Sequence, residues 1–424
     1  MADELAAPPA GGAGAAGLRR LASLLAVPDY RAVWAAGTVG SLIHYAEFLV
    51  LGVFVQQQTG SPFLVALMLF AFALPNSLLG AVTGAVAERM DRRTLLLVCL
   101  GTMAVVTAAM AVVALSGVLE LWMVGIAAFL AGVCWTTEYP VRRTLLGEVA
   151  GRGRAAAGLS FDIATGTAMV FVGPLLGGLL LRDVGIHGFY MAASVAYVVE
   201  FLCIRSVRYK ADALTAVHER TWRVIAAGLR HLRENPTVAG VLAATVVLNF
   251  FGFSYTAMLP SIAADKLALG PVGTGMLMSS EGAGALLGLL VISIYADPRG
   301  YMRLFVLGCG GILAAILAFS LLPWFVACLV VLFLGGLALA AFGAMQATIV
   351  FEATPEAMRR RIMGVLVVCF GTAPFGMLHG GLLAEWLGPD RAIGVVALEG
   401  AVLFGLCLWR WPALRRRDAP PPPH

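Results

Sequence analysis

Apolar runs of membrane-crossing length alternate with short polar interruptions along almost the whole chain. Read between charged or Pro/Gly punctuation, they occupy 32–56, 63–86, 94–117, 120–140, 157–181, 187–206, 238–261, 270–296, 303–322, 325–350, 361–386 and 391–411. A crossing helix needs roughly 20 apolar residues, so the pattern predicts an all-α membrane protein with twelve transmembrane helices. The longest polar interval, about Arg205 to Pro236, divides the runs six and six. It separates an N-terminal half over 29–206 from a C-terminal half over 237–411, with a linker over 207–236 and tails expected to be disordered over 1–28 and 412–424. Within the linker, Trp222, Ile225, Leu229 and Leu232 recur at helical spacing opposite Arg220, Arg223 and Arg230. That is the pattern of an amphipathic helix on a membrane surface, with a solvated linker as the alternative.

Composition strengthens the membrane assignment. The 424 residues are 60% hydrophobic and 12% charged, where soluble domains carry about a quarter charged residues. Of the 29 Lys and Arg residues, only Arg182, Lys266 and Arg391 fall in loops on the side opposite the termini. Basic residues in short loops stay cytoplasmic, so both termini are expected inside a bacterial cytoplasmic (inner) membrane. The net charge of +5 is then a topology signal and says nothing of nucleic acid. All seven cysteines fall inside predicted spans without CxxC spacing, as small buried hydrophobes do. The first tail is rich in Ala, Gly and Pro and lacks the basic start of a signal peptide. No Gly-x-x-x-x-Gly-Lys-Ser/Thr loop occurs, so ATP is not the expected energy source.

Charges inside an apolar span are costly, at least about 2.5–3.5 kcal/mol each on insertion scales, so each requires a partner, a wet cavity or a role. Glu47 lies just past the middle of span one, with His44 one turn earlier on the same face. A carboxyl group withdrawn from water is suited to loading and releasing a proton; the alternative is a Glu held for structure, and His44 equally could satisfy a neighbour. Glu281, in span eight among Ser279, Ser280, Gly282 and Gly284, has small neighbours that admit a helix or a substrate, and is a third proton or substrate candidate. Glu399 in span twelve reads as structural or snorkelling. Glu138 and Asp162 lie near the inner ends of spans four and five, within reach of loop arginines.

Span seven carries Asn249, Phe250, Phe253 and Tyr255 around its midplane. Rings for apolar surface and an amide for orientation suit an amphipathic organic substrate, although lipid-facing aromatics would read alike. Trp135 with Thr136 in span four and Gln346 in span ten could line the same cavity. Gly173-Pro174-Leu175-Leu176-Gly177-Gly178 in span five permits kinking and close helix packing. No metal-ligand cluster or nucleophile–base spacing is found, so the chain is not expected to be an enzyme.

Between spans two and three stands Gly84-Ala85-Val86-Ala87-Glu88-Arg89-Met90-Asp91-Arg92-Arg93. It resembles the Gly-x-x-Ala-Asp/Glu-Arg-x-Gly-Arg-Arg/Lys loop of the major facilitator superfamily, differing at a fixed place only where Asp91 replaces Gly. Ala296-Asp297-Pro298-Arg299-Gly300 is similar to its Ala-Asp-x-x-Gly kernel in the second half. The resemblance implies two pseudo-symmetric six-helix halves around one cavity, working by alternating access. It also implies a gate made by Gly84, Glu88, Arg89, Asp91, Arg92 and Arg93 with Glu138 and Asp162. Glu138 with Arg92 is its preferred latch, holding the outward-facing state; Glu88 reaches the start of span eleven, and Asp91 adds a charge. Topology anchoring is the alternative role for this set. The span-five glycines resemble part of a longer motif of proton-driven drug exporters, whose two upstream glycines are here Ser160 and Met169.

Asp29-Tyr30-Arg31-Ala32-Val33-Trp34, Thr59-Gly60-Ser61-Pro62 and Pro140-Val141-Arg142-Arg143-Thr144-Leu145-Leu146 are similar to segments of the enterobactin-exporter-like branch, which includes siderophore, multidrug and macrolide efflux proteins. Where that branch has Gly-Asp in span one, this chain has Ala46-Glu47. The expectation is therefore a secondary transporter exporting an amphiphilic small molecule against proton entry, as a monomer in the lipid bilayer, with no cofactor beyond the proton gradient. A lipid or lysolipid translocator of the same fold predicts instead a cavity open sideways to the bilayer. A non-transporting membrane receptor predicts an occluded one.

Overall fold

The computed structural model describes residues 22–87, 91–151, 153–209, 232 and 235–415, with backbone alone over 79–87 and at 357 and 360. Among these residues the protein is helical without strands. In chain order come α1 (Pro28–Thr59), α2 (Pro62–Ala87), α3 (Arg92–Leu115), α4 (Leu121–Ala150), α5 (Ala155–Ser206), α6 (Pro236–Val247), α7 (Tyr255–Asp265), α8 (Pro271–Tyr295), α9 (Tyr301–Leu321), α10 (Phe325–Glu352), α11 (Glu356–Phe370), α12 (Ala373–Leu387) and α13 (Pro389–Arg410). The amphipathic segment read in the linker lies outside the described residues, as do Glu88 and Arg89.

Ten described helical spans have the length and apolarity to cross a membrane. One is α5, whose 52 residues would reach about 78 Å if straight, more than twice the hydrocarbon thickness of roughly 30 Å. It folds instead at Gly185, where φ is 66°, a backbone state in which a Cβ is strained. The predicted loop between spans five and six is thereby reduced to a single glycine joint. Two other spans are interrupted. A π-helical turn, Leu248–Gly252, joins α6 to α7, and α11 and α12 meet at Gly371 and Thr372.

Successive helices run between two faces. The basal face holds Pro28, Arg92, Ala150, Ser206 and Arg410; the distal face holds Thr59, Leu121, Gly185, Asp265 and Leu387. Each half builds its own apolar core. Leu49, Val55, Leu96, Leu146 and Ala193 belong to the first, and Val241, Phe305, Phe319, Ile349 and Val396 to the second. Outside both, Val105, Ile294, Leu321, Trp386 and Trp409 are largely exposed. An apolar belt of that extent is unsuited to water and fits a bilayer.

The halves meet through glycine. Gly173 and Gly177 lie on the α1 backbone at Leu42 and Ala46, while Gly178 faces the Pro271 carbonyl, Gly275 the Pro174 carbonyl and Gly282 the Val170–Phe171 backbone. α5 is thus clasped between α1 of its own half and α8 of the other, at distances a Cβ would fill. At the distal face side chains complete the closure. Ser261 donates to Gln56 Oε1 at 2.6 Å, and Ser61 donates to Glu385 Oε2 at 2.8 Å.

Candidate functional site

The basal part of the N-terminal half contains a buried ion network. Arg142 is 2% exposed; its Nε donates to Glu138 one turn earlier, and its Nη1 to Asp162 Oδ1 at 2.7 Å. Arg143 Nε donates to Asp162 Oδ2 at 3.0 Å and its guanidinium lies over the Tyr139 ring, 4.3 Å from the centroid. Gly37 leaves the space that the Arg142 guanidinium fills. Sequence spacing ends span four at Pro140 and puts Arg142 in the following loop. The helix instead runs through Pro140 to Ala150, as membrane helices tolerate when neighbours satisfy the freed carbonyl.

The expected Glu138–Arg92 pair is not formed. Arg92, at the start of α3, pairs with Glu148, whereas Glu138 lies ten residues further along α4, about 15 Å deeper. Asp91 serves as the N-cap of α3, accepting from the Thr94 amide and hydroxyl, each at 2.9 Å. Its carboxylate in place of Gly satisfies an orphan amide and complements the helix dipole. Arg93 donates to the carbonyls of Ile204 and Arg205, capping the end of α5 with a cation. Gly84 lies in α2, its surroundings outside the described residues.

Deeper in the same half, Glu47 is buried and accepts from the Tyr197 hydroxyl at 3.5 Å. On its distal side is a cavity of about 10 Å³, bounded by Phe54, Val124, Ile186 and Tyr190, room for about one water. His44 does not bond Glu47; it stacks on Trp135 with ring centroids 3.7 Å apart. A second cavity of about 10 Å³ touches His44, Glu138, Tyr197 and Glu200. Glu200 was not singled out from sequence, although a lone acid inside the run 187–206 was the available signal. It is 1% exposed, and its Oε1 has no hydrogen-bond partner among the described residues.

The C-terminal candidates are arranged differently. Asn249 folds its amide back on its own helix, donating to the Thr245 carbonyl at 2.9 Å, and Thr245 donates to Gln346 Oε1 at 3.1 Å. Tyr255 is buried and interacts with Glu281. Phe253 packs on the second core. Phe250 instead joins Phe251, His379 and Glu399 around a cavity of about 690 Å³, whose rim includes the exposed Leu398 and Val402. The groove faces outward, towards the surroundings of the bundle. His379 Nε2 and Glu399 Oε2 lie 2.9 Å apart within it, a partner that the sequence reading of Glu399 lacked. Trp135 and Asn249 therefore belong to separate halves and separate clusters.

Residues 21–419 match the family described as "Transmembrane secretion effector". Over 410 residues the chain is 26% identical to the uncharacterised MFS-type transporter YfiS of Bacillus subtilis, covering 86% of this chain and 90% of the relative. It is 26% identical to the multidrug efflux pump Tap of Mycolicibacterium fortuitum, with 86% and 91% covered. Against the enterobactin exporter EntS of Shigella boydii it is again 26% identical, with 82% and 83% covered. The crystal structure of the nucleoside transporter NupG superposes with a TM-score of 0.73 at 13% identity, covering 90% of this chain and 98% of that one. At that identity the likeness concerns the fold alone.

Proposed function

We propose that this chain, which belongs to the transmembrane secretion effector family of the major facilitator superfamily, is a proton-coupled exporter of an amphiphilic small molecule that works by alternating access across twelve helices. Membership makes it a membrane transporter with efflux-type relatives; the coupling is our reading. The observation that carries it is Glu47, a carboxyl group buried at mid-membrane depth beside Tyr197, with no cation paired to it among the described residues. An unpaired buried charge is costly, so the group holds a proton in one state of the cycle and surrenders it in another. The closed distal face and the glycine-lined α5–α8 contact support one end of such a cycle, with the basal face taken as cytoplasmic from its arginines. In this reading the protein acts as a monomer in the bacterial inner membrane.

The decisive experiment is Glu47→Gln in proteoliposomes, with a catecholate siderophore and a macrolide as probes. Loss of pH-gradient-driven accumulation with retained probe binding is expected; coupling undiminished in the variant removes the assignment. A second reading is favoured by the outward groove at Phe250, His379 and Glu399, since a lipid or lysolipid translocator would need a cavity open sideways to the bilayer. Val402→Trp would fill that groove. Loss of fluorescent lysolipid movement in this variant would support the second reading, and unchanged movement would remove it.

A further inference from the structure

We infer that Glu200 is a second proton site, which passes protons between Glu47 and the basal face through the interior of the N-terminal half, apart from any path between the halves. The inference rests on the coupling role proposed for Glu47. It stands on how the groups are strung together. Tyr197 and Glu200 are three residues apart on α5 and so share a face; the hydroxyl reaches Glu47 on one side, and both line the cavity that Glu138 and His44 complete. With room for about one water, that cavity is lined jointly by Tyr197, Glu200 and Glu138, beside Leu100, Ala131 and Trp135. Glu138 is the basal end of this string; Arg142 and Asp162 continue the ion pairs from it to Arg143, whose side chain is 26% exposed, and the guanidinium ions hold the carboxylates in place without carrying the proton.

The charges around this point leave one proton wanted. Facing Glu200 are His44 from α1, Cys134, Glu138 and Arg142 from α4, Cys99 from α3 beside Cys134, and Tyr197 and Cys203 from its own helix. Glu138 and Asp162 are matched by Arg142 and Arg143. Glu200 is the acid left over, with its Oε1 unbonded among the described residues. One proton makes the group of three acids and two guanidinium ions neutral, which is the cheapest state for it in a low dielectric. Gly40 backs the other oxygen, leaving no space for a Cβ. The pocket thus positions a carboxyl group and a water, while the cation that faces it, Arg142, is already paired with Glu138 and Asp162.

Transfer is a hop that conserves protons. Once the Tyr197 hydroxyl turns its hydrogen from Glu47 to the cavity water, a proton leaving the Glu47 carboxyl enters at the Tyr197 oxygen, the hydroxyl proton passes to the water and the water gives one to the Glu200 carboxylate; release towards the basal side hands that proton through the same water to the Glu138 carboxylate. At 3.5 Å the Tyr197–Glu47 contact is longer than an ordinary O–H···O bond. The relay therefore conducts when α1 and α5 approach slightly, and rests otherwise.

The test uses the full chain in phosphatidylethanolamine–phosphatidylglycerol proteoliposomes, comparing wild type, Glu200→Gln, Glu200→Asp and Tyr197→Phe. Infrared difference spectra on acidification should show a protonated-carboxyl band that is missing in Glu200→Gln and distinct from the one missing in Glu47→Gln. Siderophore or macrolide transport driven by a pH gradient should fall roughly 10²-fold or more in Glu200→Gln and Tyr197→Phe, with equilibrium exchange of the same probe retained and Glu200→Asp partly restored. Retained exchange also certifies that the variants are folded. An unchanged spectrum in Glu200→Gln, or undiminished gradient-driven transport in both Glu200→Gln and Tyr197→Phe, overturns the relay while leaving Glu47 as carrier. Wild-type protein that shows both carboxyl bands yet transports without regard to the gradient would overturn the exporter reading instead.

Discussion

The two halves share an architecture and differ in what they bury. Among the described residues every charged side chain in the buried class, namely Glu47, Arg92, Glu138, Arg142, Asp162 and Glu200, belongs to the N-terminal half. The buried polar groups of the C-terminal half are all neutral: Thr245, Asn249, Ser254, Ser261, Thr274, Ser279, Ser320, Gln346 and Thr354. Of its intramembrane acids, Glu281 is half-buried beside Tyr255 at mid-span and Glu399 lies in the outward groove. Hydroxyls and amides satisfy one another or the backbone at little cost, whereas buried ions demand partners of opposite sign and defined place. One half is thus an electrostatic scaffold in which protonation has large consequences, and the other is a pliable apolar surface suited to a greasy cargo.

That asymmetry is broken most sharply at Arg142. Arg142→Ala leaves Glu138 unpaired and Asp162 with Arg143 alone, and should cost about 3–5 kcal/mol, read as a large fall in the thermal unfolding midpoint in detergent. The C-terminal counterpart is mild. His379→Ala beside Glu399, in a pair about a third exposed on each side, should cost under about 1 kcal/mol. If the two variants lose equal stability, the contrast between the halves is wrong.

Small-residue contacts should separate stability from conformation. Gly177→Val drives a side chain into the α1 backbone inside one half and should destabilise by about 1–3 kcal/mol. Gly282→Val acts instead across the halves, at the Val170–Phe171 backbone. We expect it to widen the α5–α8 separation in spin-label distance measurements while moving the unfolding midpoint less than Gly177→Val does. A modest effect is expected at Asp91. Asp91→Ala removes a helix cap worth about 0.5–2 kcal/mol, and Asp91→Asn should restore most of it; a loss of transport with unaltered stability would return the residue to a gating role.

Much of this was legible in the sequence. The apolar runs marked the helices to within a few residues where Gly or a charge ended them, and the rule that intramembrane acids need a reason singled out Glu47, Glu138 and Asp162. Pro140 misled because proline is a sounder stop signal in water than in a membrane bundle. Partners were harder to read than positions. Glu138 meets Arg142 on its own helix rather than Arg92, and His44 meets Trp135 rather than Glu47, because helix rotation and depth decide such choices and local spacing does not. The His379–Glu399 pair joins two helices whose relative rotation no pattern in the chain records.

The π-turn at Leu248–Gly252 sets the phase of everything beyond it in span seven. A wide turn accommodates one residue more than regular winding would, and in an α-helix one residue is worth about 100° of rotation. Deleting a single residue there would carry Tyr255 around the helix away from Glu281 and turn Ser261 from Gln56. Span seven thus behaves as two dials on one axle, and the turn between them fixes the angle at which the mid-membrane and distal contacts are made together.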